Sequence, residues 1–490
     1  MRYKIESIKD EQRYQHTGIM ILIKAVRDIF NKAPVYVANS LNQGFFIYFN
    51  KKDATPVTAS DVERIREKMQ EIIYRDLPIE KHWMPCREAV RIWKEEGFDE
   101  KARLFEDGDP EQQVIVYELD GYRDFFYSEM LPSTGWLELF EVRPYRNGLL
   151  LRHPSRLHPD GIPEYRDDDK LYEAFAESKR MRKALKLDYL ADLNKKTDDE
   201  IRRIIQESEI IQENEIASLA ERIVNEDRKL VLVAGPSSSG KTTFAKKLCW
   251  HIEKLTNNEP LYLGTDDYFL DREEIPTGDD GEQDFEGLVA LDIELFRKQI
   301  QMLLAGEKVD IPEFDFIEGR KVFGRRVTQT KNGQIVVIEG IHSFNPALTE
   351  GIPAGNKFKV YISPLTRIGI DAHNRLSTTD ARLFRRMVRD YNFRGATAAS
   401  TLRGWPKVRK GENVNIFPYS SMADAVFNSS LVYETSLLKH YAMPLLMGIK
   451  PDQPEYEEAR RLLDLTNCFK TIELVDEVPQ DSILREFIGR

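Results

Sequence analysis

The sequence predicts an α/β protein whose second half is a parallel sheet with helices on both faces, preceded by an α+β domain and a helical connector. Three observations carry that expectation. From Lys229 onward, short apolar runs of strand length alternate with helical segments, the pattern of a mostly parallel, covered sheet. Before them, Leu171 to Val224 is long, charged and glycine-free, with helical periodicity only. Ahead of that, helix and strand patterns mix. The expected boundaries are 1–157, 158–225, 226–450 and a C-terminal helix and tail at 451–490.

Thr17 to Phe30 (TGIMILIKAVRDIF) has apolar residues at helical spacing, and Gly44 to Asn50 (GFFIYFN) reads as a strand. Ser60 with Glu63 three residues later reads as a capping box opening a helix. The polar, turn-rich HPDGIPEYRDDDK marks a boundary, and two or three connecting helices follow it. KLVLVAG is a buried-type strand followed by a helix over Lys241 to Leu255. PLYLGT, QIVVIEG and KFKVYIS are further strands, and Glu455 to Leu465 is a late amphipathic helix.

Composition excludes several classes. With 41% hydrophobic and 10% aromatic residues in 490, the chain is not disordered. A net charge of −11 gives no support to a general nucleic-acid surface. Cys86, Cys249 and Cys468 are far apart with no CxxC, so neither a disulfide framework nor a cysteine-rich zinc site is expected. The N-terminus lacks a signal-peptide apolar core, and no run approaches 18 apolar residues. A cytoplasmic location and no membrane partner are expected.

The strongest motif is Gly235-Pro-Ser237-Ser238-Ser239-Gly240-Lys241-Thr242, followed by Thr243. It fits GxxxxGK[ST] between an apolar strand and a helix, the context a phosphate-binding P-loop needs. Backbone N–H groups and the helix N-terminus face the phosphates, Lys241 reaches the β- and γ-phosphates, and Thr242 ligates Mg2+. ATP and Mg2+ are the expected cofactors. Asp266, at the end of a strand, reads as a general base that also orients metal, or as an ordinary Asx turn. Glu339 ends QIVVI and suits a metal-directed carboxylate. Arg382, Arg385 or Arg386, and Arg389 recur on one helical face, with Arg394 beyond. That face suits a phosphate-holding lid, a solvated basic helix or an RNA contact; beside a P-loop, the lid reading leads.

Together these pieces resemble the uridine kinase and phosphoribulokinase group of P-loop kinases. The likeness runs through GPSSSGKTT, DDYF, DFEGLVALD, IPEFDF, VIEG, RLFRRMVRDYNFRG and KVRKGENVNIFPY, from Lys229 to Ile449. It implies a nucleoside acceptor, with Asp266, Lys241 and Arg386 in catalysis. It further implies acceptor contacts from Tyr268, Glu286, Phe314, Arg382, Arg389 and Arg394. Departures fall in the acceptor pocket. Glu286 stands where uridine kinases have Asp, and Phe314 where they have Tyr. No histidine follows FDF, and Ala396 replaces a usual arginine.

The N-terminal segments HTGIMILIKAV, NQGFFIYF, SDVERIREKMQEIIYRDLPIEK and DFFYSEMLPSTGWLELFEV resemble the editing domain of threonyl-tRNA synthetases. That likeness places His16, Met20, Phe126 and Met130 at the four hydrolytic positions, where only His16 keeps polar chemistry. An inactive editing-like module is expected. The leading reading is an ATP-dependent nucleoside 5′-kinase. A kinase of another small alcohol, such as a sugar phosphate, and a non-catalytic tRNA-binding regulator are the alternatives. tRNA binding is the weaker partner reading, and a homo-oligomer stays open.

Overall fold

The computed structural model describes residues 3–489 apart from 42, 278–280, 282 and 285. It divides into two compact units. The first holds residues 1–196, 367–376 and 464–470; the second holds 197–366, 377–463 and 471–490. The expected connector, 158–225, is thereby divided between them, as is the 451–490 segment.

The first unit begins with α1 (Ile8–Ile29), β1 (Val35–Leu41), β2 (Gly44–Phe49) and α2 (Ala59–Tyr74). Then come β3 (Glu80–Pro85), α3 (Cys86–Glu96), α4 (Asp99–Phe105), β4 (Gln113–Leu119) and β5 (Tyr122–Asp124). It continues with β6 (Glu141–Tyr145), β7 (Gly148–Arg152), α5 (Asp169–Leu185) and α6 (Leu190–Asn194). Two antiparallel sheets result, ordered β1-β2-β7-β6 and β3-β4-β5. Ser7 and Asp10 form the capping box of α1. The box opening α2 is Thr58 with Asp61, not Ser60 with Glu63. Asp61 accepts from the Thr58 N–H at 2.9 Å, an ion-stabilised version of the same device.

The four editing-type positions pack in this unit's core. Met20 and Phe126 are buried, and Met130 packs on the same cluster. His16 is 5% exposed, hydrogen-bonds Ser128 through Nδ1, and stacks near Phe126. Burial lowers its pKa to about 4, as it does for His153. Deeper still, Asp124 pairs with Lys101 and lies 2.6 Å from His373 Nδ1, with Asp371 3.7 Å from Lys101. Burial opposes charge on Asp124, but Lys101 and His373 hold its pKa far below the usual range.

The second unit opens with α7 (Asp198–Asn225), β8 (Leu230–Ala234), α8 (Lys241–Thr256) and β9 (Leu261–Gly264). It continues through α9 (Ile293–Leu304), β10 (Lys308–Asp315), β11 (Arg320–Gln329), β12 (Val336–Glu339) and β13 (Lys357–Ser363). Last come α10 (Thr378–Arg394), α11 (Ala398–Asn415), α12 (Phe417–Ser420), β14 (Ala425–Asn428), α13 (Glu434–Met447), α14 (Tyr456–Thr466) and α15 (Arg485–Ile488). Five strands form a fully parallel sheet, β14-β13-β8-β12-β9. Every residue of β8, LVLVA, is buried, as a central strand covered on both faces requires. β10 and β11 make a separate antiparallel hairpin. Among the described residues no helix is long and apolar enough to cross a membrane.

The depressed pKa values of His16 and His153 give a signed expectation. Each contributes stability that is full above the unfolded value of 6.5 and is lost as pH falls toward about 4. The loss is on the order of 3 kcal/mol per histidine. Chemical denaturation between pH 7 and pH 4 should therefore show a steeper decline than in the His16→Gln/His153→Gln variant. Parallel declines in the two proteins would contradict this.

Candidate functional site

The site lies in the second unit, at the C-terminal ends of β8, β9 and β12, where open α/β sheets bind ligands. Its cavity of about 880 Å³ is walled by the phosphate loop, Asp266, Glu286, Glu339 and the later turns of α10.

The loop's shape follows from its residues. A Cβ on Gly235 would collide with the Ile362 carbonyl, so only glycine lets β8 turn there beside β13. Gly240 has φ +87°, a conformation glycine adopts without strain, and it starts α8. Behind the loop lie two buried guanidiniums. Arg382 donates to the Ser237 carbonyl at 3.2 Å and is held bidentately by Glu412. Arg385 donates toward the Ser238 and Ser239 carbonyls at 3.4 Å and is held by Glu434 at 2.6 and 2.8 Å. Burial alone would raise Glu412, yet Arg382 keeps its pKa below normal, so the pair stays ionised.

With its carbonyls engaged at the back, the loop presents the unpaired first N–H groups of α8 to the cavity. The Ser238 and Ser239 hydroxyl oxygens are buried with no hydrogen-bond partner. Orphaned donors in a curled loop at a helix N-terminus fit the oxygens of a polyphosphate. Lys241 Nζ folds back onto the Pro236 carbonyl at 3.1 Å, and Ser237 Oγ accepts from Arg386 at 2.8 Å. Thr243 Oγ1 donates to Glu486 Oε2 at 3.0 Å.

The carboxylates are graded. Thr242 Oγ1 and Tyr262 Oη donate to Glu339 Oε1 at 3.1 and 3.2 Å. Enclosure by protein raises Glu339 to about 7, against the pull of Lys241 and with a push from Asp266. Asp266 is exposed to the cavity's own solvent, which tempers its shift; the surrounding protein still moves its pKa up, and Lys241 opposes that. Burial likewise raises Glu286, opposed by Arg386. Asn415 fixes Glu286 by donating to its carbonyl at 2.9 Å. Among the described residues no group of three or more His, Cys, Asp or Glu is placed for a metal. Thr242 with Asp266 and Glu339 nonetheless offers hard oxygen donors of the kind Mg2+ accepts, few in number because it keeps waters and phosphate oxygens.

Two expected acceptor contacts are corrected. Arg382 is 1% exposed and saturated by Glu412, so it supports the loop rather than the substrate. Tyr268 is fully buried, packs on Phe296 and donates to Gln299 Oε1 at 2.9 Å. Its neighbour Phe269 lines the cavity instead, with Phe314 and Phe316. Their ring centroids lie 5.5 Å (Phe269–Phe314) and 5.1 Å (Phe314–Phe316) apart, edge to face. Arg386, Arg389 and Arg394 do line the cavity, gathered by Asp390. Of the DFEGLVALD segment, residue 285 lies outside the described residues. Sequence reasoning missed Phe269, Phe316 and Glu486. Phe269 stood within the quoted DDYF, whereas Glu486 had no local signal.

Residues 230–436 match the Phosphoribulokinase / Uridine kinase family. The phosphate-binding unit is a P-loop kinase, and that family works with ATP and Mg2+. Over the N-terminal region, the threonine–tRNA ligase of Marinobacter nauticus is 30% identical across 128 residues, 26% of this chain and 20% of that protein. The ligase of Carboxydothermus hydrogenoformans is 25% identical across 140 residues, 29% of this chain and 22% of its own. The chain thus spans about a fifth of these relatives' length. Among solved structures, one described as a possible uridine kinase from Bacillus stearothermophilus has 17% identity and a TM-score of 0.30, covering 44% of this chain and 98% of its own.

The correction at Arg382 separates two kinds of arginine. Arg382→Ala should cost about 2–3 kcal/mol in chemical denaturation, because it removes the bidentate partner of the buried Glu412 carboxylate and leaves it Arg409 at 2.9 Å and the Ser237 N–H at 3.0 Å. Arg386→Ala should keep stability within about 1 kcal/mol and weaken tripolyphosphate binding instead, read by calorimetry. Matching stability losses in the two variants would undo that division.

Proposed function

We propose that this protein is an ATP-dependent kinase that phosphorylates the 5′-hydroxyl of a ribonucleoside. The observation that carries this reading is the phenyl cluster of Phe269, Phe314 and Phe316, which shares one cavity with the phosphate loop. An aromatic wall stabilises a planar base by stacking and apolar burial. A sugar phosphate has no planar aromatic ring to stack against it. Glu286, half-buried between that wall and Arg386, accepts hydrogen bonds from the ribose hydroxyls.

Bound Mg2+–ATP supplies the transferable phosphoryl group and neutralises its developing charge. The chain's own residues do the rest. The loop N–H groups, Lys241 and Arg386 hold anionic oxygens, and Arg389 and Arg394 close the same end. Thr242 and Glu339 face the metal position. Asp266 takes the proton from the acceptor hydroxyl, aided by its raised pKa; the hydroxyl oxygen bonds to the γ-phosphorus as the bond from that phosphorus to the β–γ bridging oxygen breaks, and ADP leaves. None of the phenyl rings carries a hydroxyl, so the base is selected by shape and apolar contact rather than by a ring of donors.

For the first unit we infer a non-hydrolytic role. Its four editing-type positions hold one buried imidazole, two thioethers and a phenyl ring, which provide no metal site and no water-activating pair.

Asp266→Asn should lower kcat about 10²- to 10⁴-fold while ATP affinity measured without acceptor stays near that of the unaltered protein. A panel of uridine, cytidine, adenosine, guanosine, inosine and sugar phosphates, compared by kcat/KM, should show turnover on nucleosides. Turnover confined to sugar phosphates would sink the reading.

A further inference from the structure

A second cavity, of about 560 Å³, opens beside the first. One wall is α8, through Thr243, Lys246 and Trp250, which recur three or four residues apart and so share a helical face. The other wall is the C-terminal segment, through Asp481, Ser482 and Glu486. Glu486 lines both cavities, so they meet where its carboxylate accepts from Thr243.

This segment is firmly placed. A Cβ on Gly240 would meet the Ile483 side chain, so Ile483 sits directly on the phosphate loop. The Arg385 guanidinium lies 5.0 Å from the Phe487 ring centroid. Lys247 bridges Glu213 and Asp481 at 2.6 and 2.7 Å, tying α7, α8 and the segment together. Arg485 donates to the Val475 and Val478 carbonyls at 3.1 and 2.6 Å, fixing the preceding turn. All of it lies beyond residues 230–436, the part that matches the kinase family.

The lining changes character at Glu486, from a cluster of cations to Lys246, Lys247 and Arg485 balanced by Glu213 and Asp481. On the loop side, Lys241, Arg386 and Arg389 favour phosphate. A carboxylate repels phosphate oxygens and accepts from hydroxyls, so it marks where the anionic part of a ligand ends and a sugar begins. Past it stands Trp250, 52% exposed, with Lys254 Nζ 5.5 Å from its ring centroid. An exposed indole beside a cavity is a stacking surface for a planar base.

We propose that the C-terminal segment and α8 form the subsite for the nucleoside half of the phosphate donor. Glu486 accepts from the sugar hydroxyls and Trp250 stacks on the base. The inference rests on the kinase reading only in taking a nucleoside triphosphate as donor.

The test measures binding to the full chain, with Mg2+ and without acceptor, by calorimetry. ATP is compared with inorganic tripolyphosphate. Trp250→Ala should weaken ATP by about tenfold, the size of one lost stacking contact, and leave tripolyphosphate within about twofold. Trp250→Phe, which keeps a stacking face, should restore most of the ATP affinity. Glu486→Gln should weaken ATP yet tighten tripolyphosphate, since it removes repulsion. Equal losses for both ligands, or an unchanged ATP affinity in Trp250→Ala, overturn the proposal. Failure of nucleoside phosphorylation alone would leave this binding contrast intact, so the two readings fail separately.

Discussion

The structure around the phosphates depends on two guanidiniums buried behind the loop. Arg382 and Arg385 are 1% and 0% exposed, and an unpaired charge at that depth would cost several kcal/mol. Each is therefore matched by a carboxylate from another helix, Glu412 on α11 and Glu434 on α13. Those pairs fix three helices around the strand-to-helix turn. They also occupy the carbonyls of Ser237, Ser238 and Ser239, which orients the backbone dipoles of the loop. The face left for ligand is rich in donors. Phosphate recognition here is a consequence of satisfying the back of the loop first.

The same helix shows what sequence periodicity can and cannot supply. Spacing places Arg382, Arg386 and Arg389 along one stripe of α10, and the structure agrees. Their environments differ because they sit at different heights along the axis. The first turns lie beneath the loop and are buried; the later turns reach the cavity. A repeat of 3.6 residues encodes direction around a helix and carries no information about depth along it. Tyr268 and Phe269 illustrate a related limit. At the end of the short 3₁₀ turn over Thr265–Tyr268 both rings are buried in one cluster, and only Phe269 also reaches the cavity. The sheet strands and the GxxxxGK[ST] loop were legible because their signals are local. Glu486 was not, because its role comes from a contact with Thr243 across 243 positions of chain.

The first unit makes its own point about inference from position alone. Its spacing resembles that of a hydrolytic module, but at the matching positions Met20 and Phe126 are buried in the core and Met130 packs against it. His16 is retained as a neutral, buried ring. The charged group at this unit's centre is elsewhere. Lys101 and Asp124 meet Asp371 and His373, which come from a stretch more than 240 residues later. Burying four such groups is tolerable only as a complete network, since any missing member leaves a charge without its partner. A fragment ending near residue 157 would lack Asp371 and His373 and leave Lys101 and Asp124 short of partners. The first unit therefore draws part of its buried charge network from residues 367–376.

Charge in the cavity is divided by function. The arginines and Lys241 gather at the phosphate end, the phenyl rings at the other, and carboxylates mark the places where hydroxyls or a cation belong. Burial raises the proton affinity of both Asp266 and Glu339, Asp266 adds to the rise at Glu339, and Lys241 opposes it at each. Enclosure thus pushes both carboxylates toward the protonated form. That arrangement favours a divalent cation over a second lysine, because one small ion can serve both carboxylates and phosphate oxygens at once. The raised proton affinities of Asp266 and Glu339 thus have one origin, the enclosure of these two carboxylates beside the loop.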